Sequence, residues 1–160
     1  RVKNSSVHGS GVFATKNIPK NTNIIQYIGE KVTKLEGDRR SSTRIKKYLN
    51  SPLKGSVYIF ELNKKYDIDG LVNNNKARFI NHSCNPNCEV DIINGQIWIS
   101  SIKNIKKGEE LNYDYGYPFD PDDFRDHVCR CGSKNCIGFI ISSDEWNKYI
   151  KYIKKIIRKK

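Results

Sequence analysis

Long hydrophobic runs are missing from this chain of 160 residues. No apolar stretch approaches the roughly 20 residues that a helix needs to cross a bilayer. No charged-then-apolar export segment is found either, so the expectation is an intracellular protein without membrane contact. Internal repeats and low-complexity linkers are also absent, and the length suits one domain that buries a core without disulfides. A monomer is expected. Acidic residues are scarce beside basic ones, 17 against 29, which leaves a net charge of +12. That excess favours a polyanionic neighbour such as nucleic acid or chromatin, through phosphate neutralisation and counterion release. A basic surface that is merely solvated is the plainer reading. The five cysteines are an odd number. Without an export signal, an odd count points away from a full disulfide set and toward metal or free thiols.

From Val2 to Ile28 short β-branched runs are interrupted by Gly9, Gly11 and Pro19, which predicts strands and turns. Thr33 and Glu36 are spaced as a capping box and predict a helix over 34–48. "SVYIFEL" (56–62) and "YDID" (66–69) read as strands joined by a turn around Asn63. "EVDIINGQIWISSI" (89–102) is the clearest hairpin, its Asn94-Gly95 suited to a type I′ turn. Ser142 to Glu145 reads as the cap of a final helix. Along that helix Trp146, Tyr149, Ile150, Ile153, Ile156 and Ile157 share one face, with Lys148, Lys151, Lys154, Lys155 and Arg158 on the other. Many short strands with few short helices make the expected class mainly β.

"GSGVFA" (9–14) matches the glycine pattern of a dinucleotide-binding turn, but that mechanism needs a helix to open at the glycines. "TKNIPKNTN" follows instead, with Pro19 inside the would-be helix, so a nicotinamide or flavin site is set aside. The glycines are expected to let the backbone approach something else closely.

"CRCGSKNC" gives Cys129, Cys131 and Cys136, three soft thiolates on one short wet loop. This suits a structural zinc, which wants a fourth ligand. Cys84 and Cys88 are the remaining cysteines, and His127 is the local competitor. If Cys84 is chosen, zinc ties the C-terminal loop onto residues 81–84, and Cys88 is left as a half-buried small hydrophobe.

Five stretches, "HGSGVFA", "QYIGE", "RFINHSCNPNC", "GEELNYDYGY" and "CRCGSKNCIGF", occur in one order. Over roughly residues 1–141 the chain thereby resembles the SET-domain protein-lysine methyltransferases with a post-SET zinc loop. The resemblance implies a β-clip fold of small curved sheets, with the "NHSC" and "YDY" segments threaded into a pseudoknot. It divides the chain into a SET domain (1–117), an acidic linker with the post-SET zinc segment (118–141) and a basic amphipathic C-terminal helix (142–160). Gly9, Ser10, Gly11, Val12 and Phe13 look like the backbone cradle of S-adenosylmethionine, and Arg78, Phe79, Asn81 and His82 line the same pocket. Cys84 becomes the fourth zinc ligand. Tyr115 resembles the catalytic tyrosine, and both it and Tyr27 also border the cofactor; Tyr27 and Tyr113 resemble the walls of the lysine channel. Ser10 stands where a basic residue is common, and Ile137 where an Arg often follows the last cysteine. The cysteine-rich segment that precedes the domain in several histone methyltransferases is not found here, which points away from the subfamilies that depend on it.

Methyl transfer from a sulfonium to an amine is an in-line displacement, so positioning is the main task. The target lysine must be neutral, against an ordinary pKa of about 10.4. An aromatic channel lowers that value by desolvation and also stabilises cationic methyl groups on its ring faces. His82 is assigned to binding, not proton abstraction. In the family a Tyr at the Tyr113 position tends to hold a water that crowds the amine, which implies mainly mono- and dimethylation. Asp120, Asp122, Asp123 and Asp126 form an acidic island between Tyr115 and the zinc loop, expected to attract a Lys/Arg-rich substrate such as a histone tail. The basic face of the last helix is a candidate contact for nucleosomal DNA, although packing through Trp146 is the favoured role. The expected site of action is the nucleus and its chromatin if the source is eukaryotic, otherwise the cytoplasm or a host nucleus. A catalytically silent module that binds chromatin or a peptide is the alternative reading.

Overall fold

The computed structural model describes residues 1–48 and 57–158. Ser56 of the expected "SVYIFEL" strand and residues 159 and 160 of the C-terminal segment lie outside the described residues. In chain order the strands are β1 (Val2–Asn4), β2 (Ser10–Phe13), β3 (Asn23–Tyr27), β4 (Glu30–Thr33), β5 (Ile59–Glu61), β6 (Tyr66–Asp69), β7 (Asn81–His82), β8 (Cys88–Ile93), β9 (Gln96–Ser101) and β10 (Glu110–Tyr113). Helix α1 (Lys34–Tyr48) follows β4, and α2 (Trp146–Ile157) lies near the end. The strands form three small sheets, ordered β1-β2-β10-β7, β3-β9-β8 and β4-β6-β5. Residues 9–14 open a strand rather than a helix, as Pro19 dictates.

The β8–β9 hairpin pairs Ile93 with Gln96 across Asn94 and Gly95. Both turn residues have positive φ, 50° and 73°, the geometry of the expected type I′ turn. At the start of α1 the Glu36 amide donates to Thr33 Oγ1 at 3.3 Å, so half of the capping box forms. The Glu36 carboxylate does not return to Thr33; it takes bonds from Arg39 and Arg40 at 2.7 Å. Helix α1 is a polar element held by ions. Lys34 reaches Asp67 at 2.6 Å, while Arg40 and Arg44 both reach Asp69 on β6. Burial opposes the charge of Asp69, yet the hydrogen bonds from Arg44 and Arg40 hold its carboxyl down at about 2.

The core is built where the three sheets meet. Ile80, Ile97, Ile99, Ile105 and Leu111 are fully buried there, each contributing roughly 1.5–3 kcal/mol by removal from water. Cys88 belongs to this core too, at 1% exposed, so it is buried outright rather than half-buried, and burial pushes its thiol up to about 11.

Two expectations about the last helix need correction. Ser142 makes no side-chain cap; a 3₁₀ turn over Ser143–Glu145 leads into α2, and the Ser143 amide is taken by Asp114 at 2.8 Å. The inward face also carries Tyr152, whose ring lies 5.4 Å from Phe119, while Ile150 and Ile157 are exposed. The aromatic cluster of Phe119, Phe124 and Phe139 pulls the tyrosines in. Ile150 and Ile157 are left on the flank.

Candidate active site and metal centre

Two strands fix the site. β7 and β10 run parallel, pairing Asn81 with Asn112 and His82 with Tyr113. The "NHSC" and "YDY" segments therefore lie side by side, and the chain continues from β10 directly into Tyr115. Asparagines lock the crossing: the Asn87 and Asn112 amides each donate to the other's side-chain oxygen, at 3.1 and 3.0 Å.

From this crossing an aromatic row runs across the molecule. Ring centroids are 5.0 Å apart for Tyr27–Phe60, 6.1 Å for Phe60–Tyr113, 5.0 Å for Tyr113–Tyr115 and 5.9 Å for Tyr115–Tyr117. The row brings Tyr27, Tyr113 and Tyr115 together from the ends of two strands, β3 and β10. Tyr115 donates its hydroxyl to the Ile80 carbonyl at 3.0 Å, and Tyr27 donates to the Tyr58 carbonyl at 2.9 Å. Burial raises the hydroxyl pKa of all three well above the ordinary tyrosine value, so none becomes a tyrosinate near neutrality.

His82 is buried next to this row. Its Nδ1 accepts the Tyr115 amide at 3.2 Å, and its Nε2 faces Cys84 Sγ at 3.6 Å. Burial lowers its pKa, with Asp114 opposing, so the ring is neutral at pH 7. Asn81 donates to the Ser10 carbonyl at 3.0 Å and to the Glu110 carboxylate at 2.8 Å. Both side chains are thus committed within the protein.

The expected cofactor residues Gly9 through Phe13 form the approach to and body of β2. Glu110 explains Gly11: a Cβ there would meet the Glu110 carboxylate, which also takes the Ser5 hydroxyl at 2.8 Å. Gly9 differs. It adopts φ +46 and has no heavy atom within 4 Å of where a side chain would begin, leaving open backbone that suits close approach by a ligand. Arg78 donates to the Val72 carbonyl and stacks 4.7 Å from the Phe79 ring. Among the described residues, Arg78 Nε and Asn75 Oδ1 are buried polar atoms without a hydrogen-bond partner. Open glycine backbone, orphaned polar atoms and a neighbouring aromatic row fit a zwitterionic nucleoside cofactor.

Cys84, Cys129, Cys131 and Cys136 converge, their Sγ atoms all within 4.8 Å of one another. Cys84 lies 3.8 Å from both Cys129 and Cys136. A tetrahedral zinc with bonds of about 2.3 Å needs sulfur edges of about 3.8 Å, so the donor set fits that ion. Proton chemistry agrees. Burial pushes the Cys84 thiol up to about 12 and Cys129 higher, with charge on Cys131 raising Cys84 further. Burial also opposes ionisation of Cys131, but hydrogen bonds from Ser133 and the Cys84 amide bring it down to about 6. Ionising all four thiols in this space would take a divalent cation. His127 stays outside the cluster, bonded to Asp123 at 2.9 Å and edge-on to Tyr117 at 5.1 Å.

That pair attaches the acidic loop to the aromatic row. Asp120, Asp122, Asp123 and Asp126 are exposed around the buried Phe124, which pins the loop against Phe139 and Tyr149. Sequence reasoning missed Phe60, Tyr117, Glu110 and Asp114. Tyr117 and Asp114 were open to it, since both stand beside Tyr115 in "YDYGY". Phe60 and Glu110 were signalled only by strand alternation.

The sequence model of the SET domain matches residues 9–116. A histone-lysine N-methyltransferase of Aspergillus oryzae, H3 lysine-4 specific, is 39% identical over 144 residues, covering 88% of this chain and 11% of that protein. The Schizosaccharomyces pombe protein of the same description is 36% identical over 140 residues, 85% of this chain and 14% of its own length. Human histone-lysine N-methyltransferase 2D is 37% identical over 136 residues, 82% of this chain and 2% of that protein. The chain spans a small part of the relatives it matches.

Proposed function

The chain belongs to the SET domain family, and on that premise we propose that it is an S-adenosylmethionine-dependent protein-lysine N-methyltransferase acting on a Lys/Arg-rich tail such as that of histone H3. The observation that carries this reading is the row of Tyr27, Phe60, Tyr113, Tyr115 and Tyr117, set between open glycine backbone and a four-thiol cluster. When bound, S-adenosylmethionine supplies a methyl group on a positively charged sulfur. The backbones of Gly9, Asn81 and His82, with Arg78, would hold it.

The row desolvates a lysine entering between its rings and so favours the neutral amine. Tyr115 fixes its own hydroxyl on the Ile80 carbonyl and presents a neutral oxygen to the amine. Neither Tyr115 nor His82 takes the lysine's proton: the tyrosine needs no second proton, and both imidazole nitrogens are engaged. The proton goes to water, and catalysis rests on alignment and desolvation. Cys84, Cys129, Cys131 and Cys136 would hold zinc, which keeps the Tyr117–His127 end of the row against β7.

Methyl transfer from labelled S-adenosylmethionine to core histones and to nucleosomes tests the reading. Label on H3 supports it; cofactor binding without label on any histone would favour a silent chromatin-binding module. Nucleosomal DNA contact is proposed for the exposed face of Lys148, Lys151 and Lys155. Changing these to Glu should lower labelling of nucleosomes while sparing free H3. On this reading the enzyme works on chromatin, in the nucleus.

Mono- and dimethylation are the proposed products because Tyr113 is 7% exposed and packed against Phe60 and Tyr115. Tyr113→Phe should shift products toward trimethyl-lysine, read by mass spectrometry; an unchanged spectrum would remove Tyr113 from this role. Changing Asp120, Asp122, Asp123 and Asp126 to Asn should raise the peptide KM several-fold at low salt and little at high salt. A KM that ignores both changes would leave the loop a solvated turn.

A further inference from the structure

Helix α1 carries no residue of the aromatic row, yet it is tied to that row by one carboxylate. Asp69, at the end of β6, is 3% exposed and takes Arg44 at 2.6 and 2.8 Å and Arg40 at 2.8 Å. Arg44 simultaneously donates to the Val57 carbonyl at 2.7 Å. Beyond Asp69 the chain turns through Gly70, whose amide donates to the Tyr58 carbonyl at 2.8 Å. That carbonyl is the one that accepts the Tyr27 hydroxyl. Contact here is close: a Cβ on Gly70 would strike the Tyr27 hydroxyl. Tyr58 adopts φ +60, a left-handed conformation costly for an aromatic residue and held only by its surroundings.

Resting on the reading above, we propose that Asp69 is a positioning residue for the lysine channel, clamping α1 through Arg40 and Arg44 so that the Tyr58 carbonyl holds Tyr27 in the channel wall. The clamp joins the start of β5 to the end of β6, two strands paired directly in one sheet. Arg44 secures Val57, the residue before Tyr58, and Asp69 is itself the residue before Gly70. Both hydrogen bonds on the Tyr58 carbonyl then depend on one buried ionic centre. Its partners cannot be replaced by water without uncovering Asp69, so the clamp is closed or broken.

The decisive experiment is a double-mutant cycle with Tyr27→Phe, using methyl transfer to an H3 peptide. Asp69→Asn should lower kcat about tenfold with cofactor Kd unchanged. In the Tyr27→Phe background the same change should cost much less, because the two residues act through one carbonyl. Additive effects, or weakened cofactor binding, overturn the proposal. Amide hydrogen exchange gives a readout independent of activity. In Asp69→Asn, exchange at Gly70 and in α1 should quicken by about tenfold or more, while the β8–β9 hairpin stays protected. Unchanged exchange at Gly70 sinks the clamp even if the wild-type protein methylates nothing, a result that by itself would sink only the proposed activity. If Asp69→Asn does not fold, Arg44→Lys serves in both assays; it keeps the charge and loses the fork. It should move kcat and exchange in the same directions by less, and no movement counts against the proposal.

Discussion

Tyr115→Phe should cut methyl transfer by about a hundredfold or more and leave the fold and cofactor affinity nearly intact. Phe keeps the ring that sits 5.0 Å from Tyr113, 5.9 Å from Tyr117 and 5.4 Å from His82. The Tyr115 amide still donates to His82. One oxygen is lost, and with it the bond to the Ile80 carbonyl, which costs about 1–3 kcal/mol of stability. That cost lowers Tm by several degrees without unfolding the domain. The proposed role sets this oxygen beside the point where methyl and amine would meet, so the catalytic loss should be the larger effect. Measuring kcat, cofactor Kd and Tm together separates the cases. A variant with normal kcat would remove Tyr115 from the chemistry. One that melts early and fails to bind cofactor would show the residue to be structural.

Removing zinc should abolish activity by a different route. The purified protein is expected to carry one zinc per chain by elemental analysis, and a strong chelator or Cys84→Ser should strip it. Without the ion, burial and mutual repulsion return Cys84 and Cys129 to their protonated forms. The tip of the zinc loop, residues 131–136, then keeps the Asn135 bond to the Cys84 carbonyl and the Ser83–Ser133 contact. These hold it weakly, so limited proteolysis should cut there while the core resists. Cys88→Ser is the informative comparison. It lies outside the cluster, and its replacement should lower Tm through the core without loss of metal. Full activity in metal-free protein would contradict the assignment of the cluster to zinc.

Much of this arrangement was legible in the residues, and the reasons are physical. Asn94-Gly95 forces its turn through backbone sterics, and Thr33 offers a cap wherever a helix starts, so both elements follow from local chemistry. The three clustered cysteines point to a metal because crowded thiolates need a cation, and the structure brings a fourth thiol to them. Cys84 could not be chosen over Cys88 on spacing, since β7 is brought to the loop by a strand crossing that no local rule encodes. Resemblance chose it, and its Sγ lies in the cluster. The role of α1 was illegible for a related reason. Arg40, Arg44 and Asp69 look like ordinary surface charges until a hairpin 25 residues downstream buries the aspartate between them. Tyr152 replaced Ile150 and Ile157 on the inner face of α2 because the cluster it joins is aromatic, and a count of helical spacing does not see partners.

The thiol cluster joins residues 45 and 52 positions apart, and β10 closes a sheet begun by the first strand of the chain. During synthesis, therefore, a ribosome-bound chain that has not yet released Cys136 has neither a finished metal site nor a secured end to its aromatic row. Assembly waits on long-range closure, which is slow. On the proposed reading the site is completed only after translation has passed Cys136, and partial products shorter than that should be inactive.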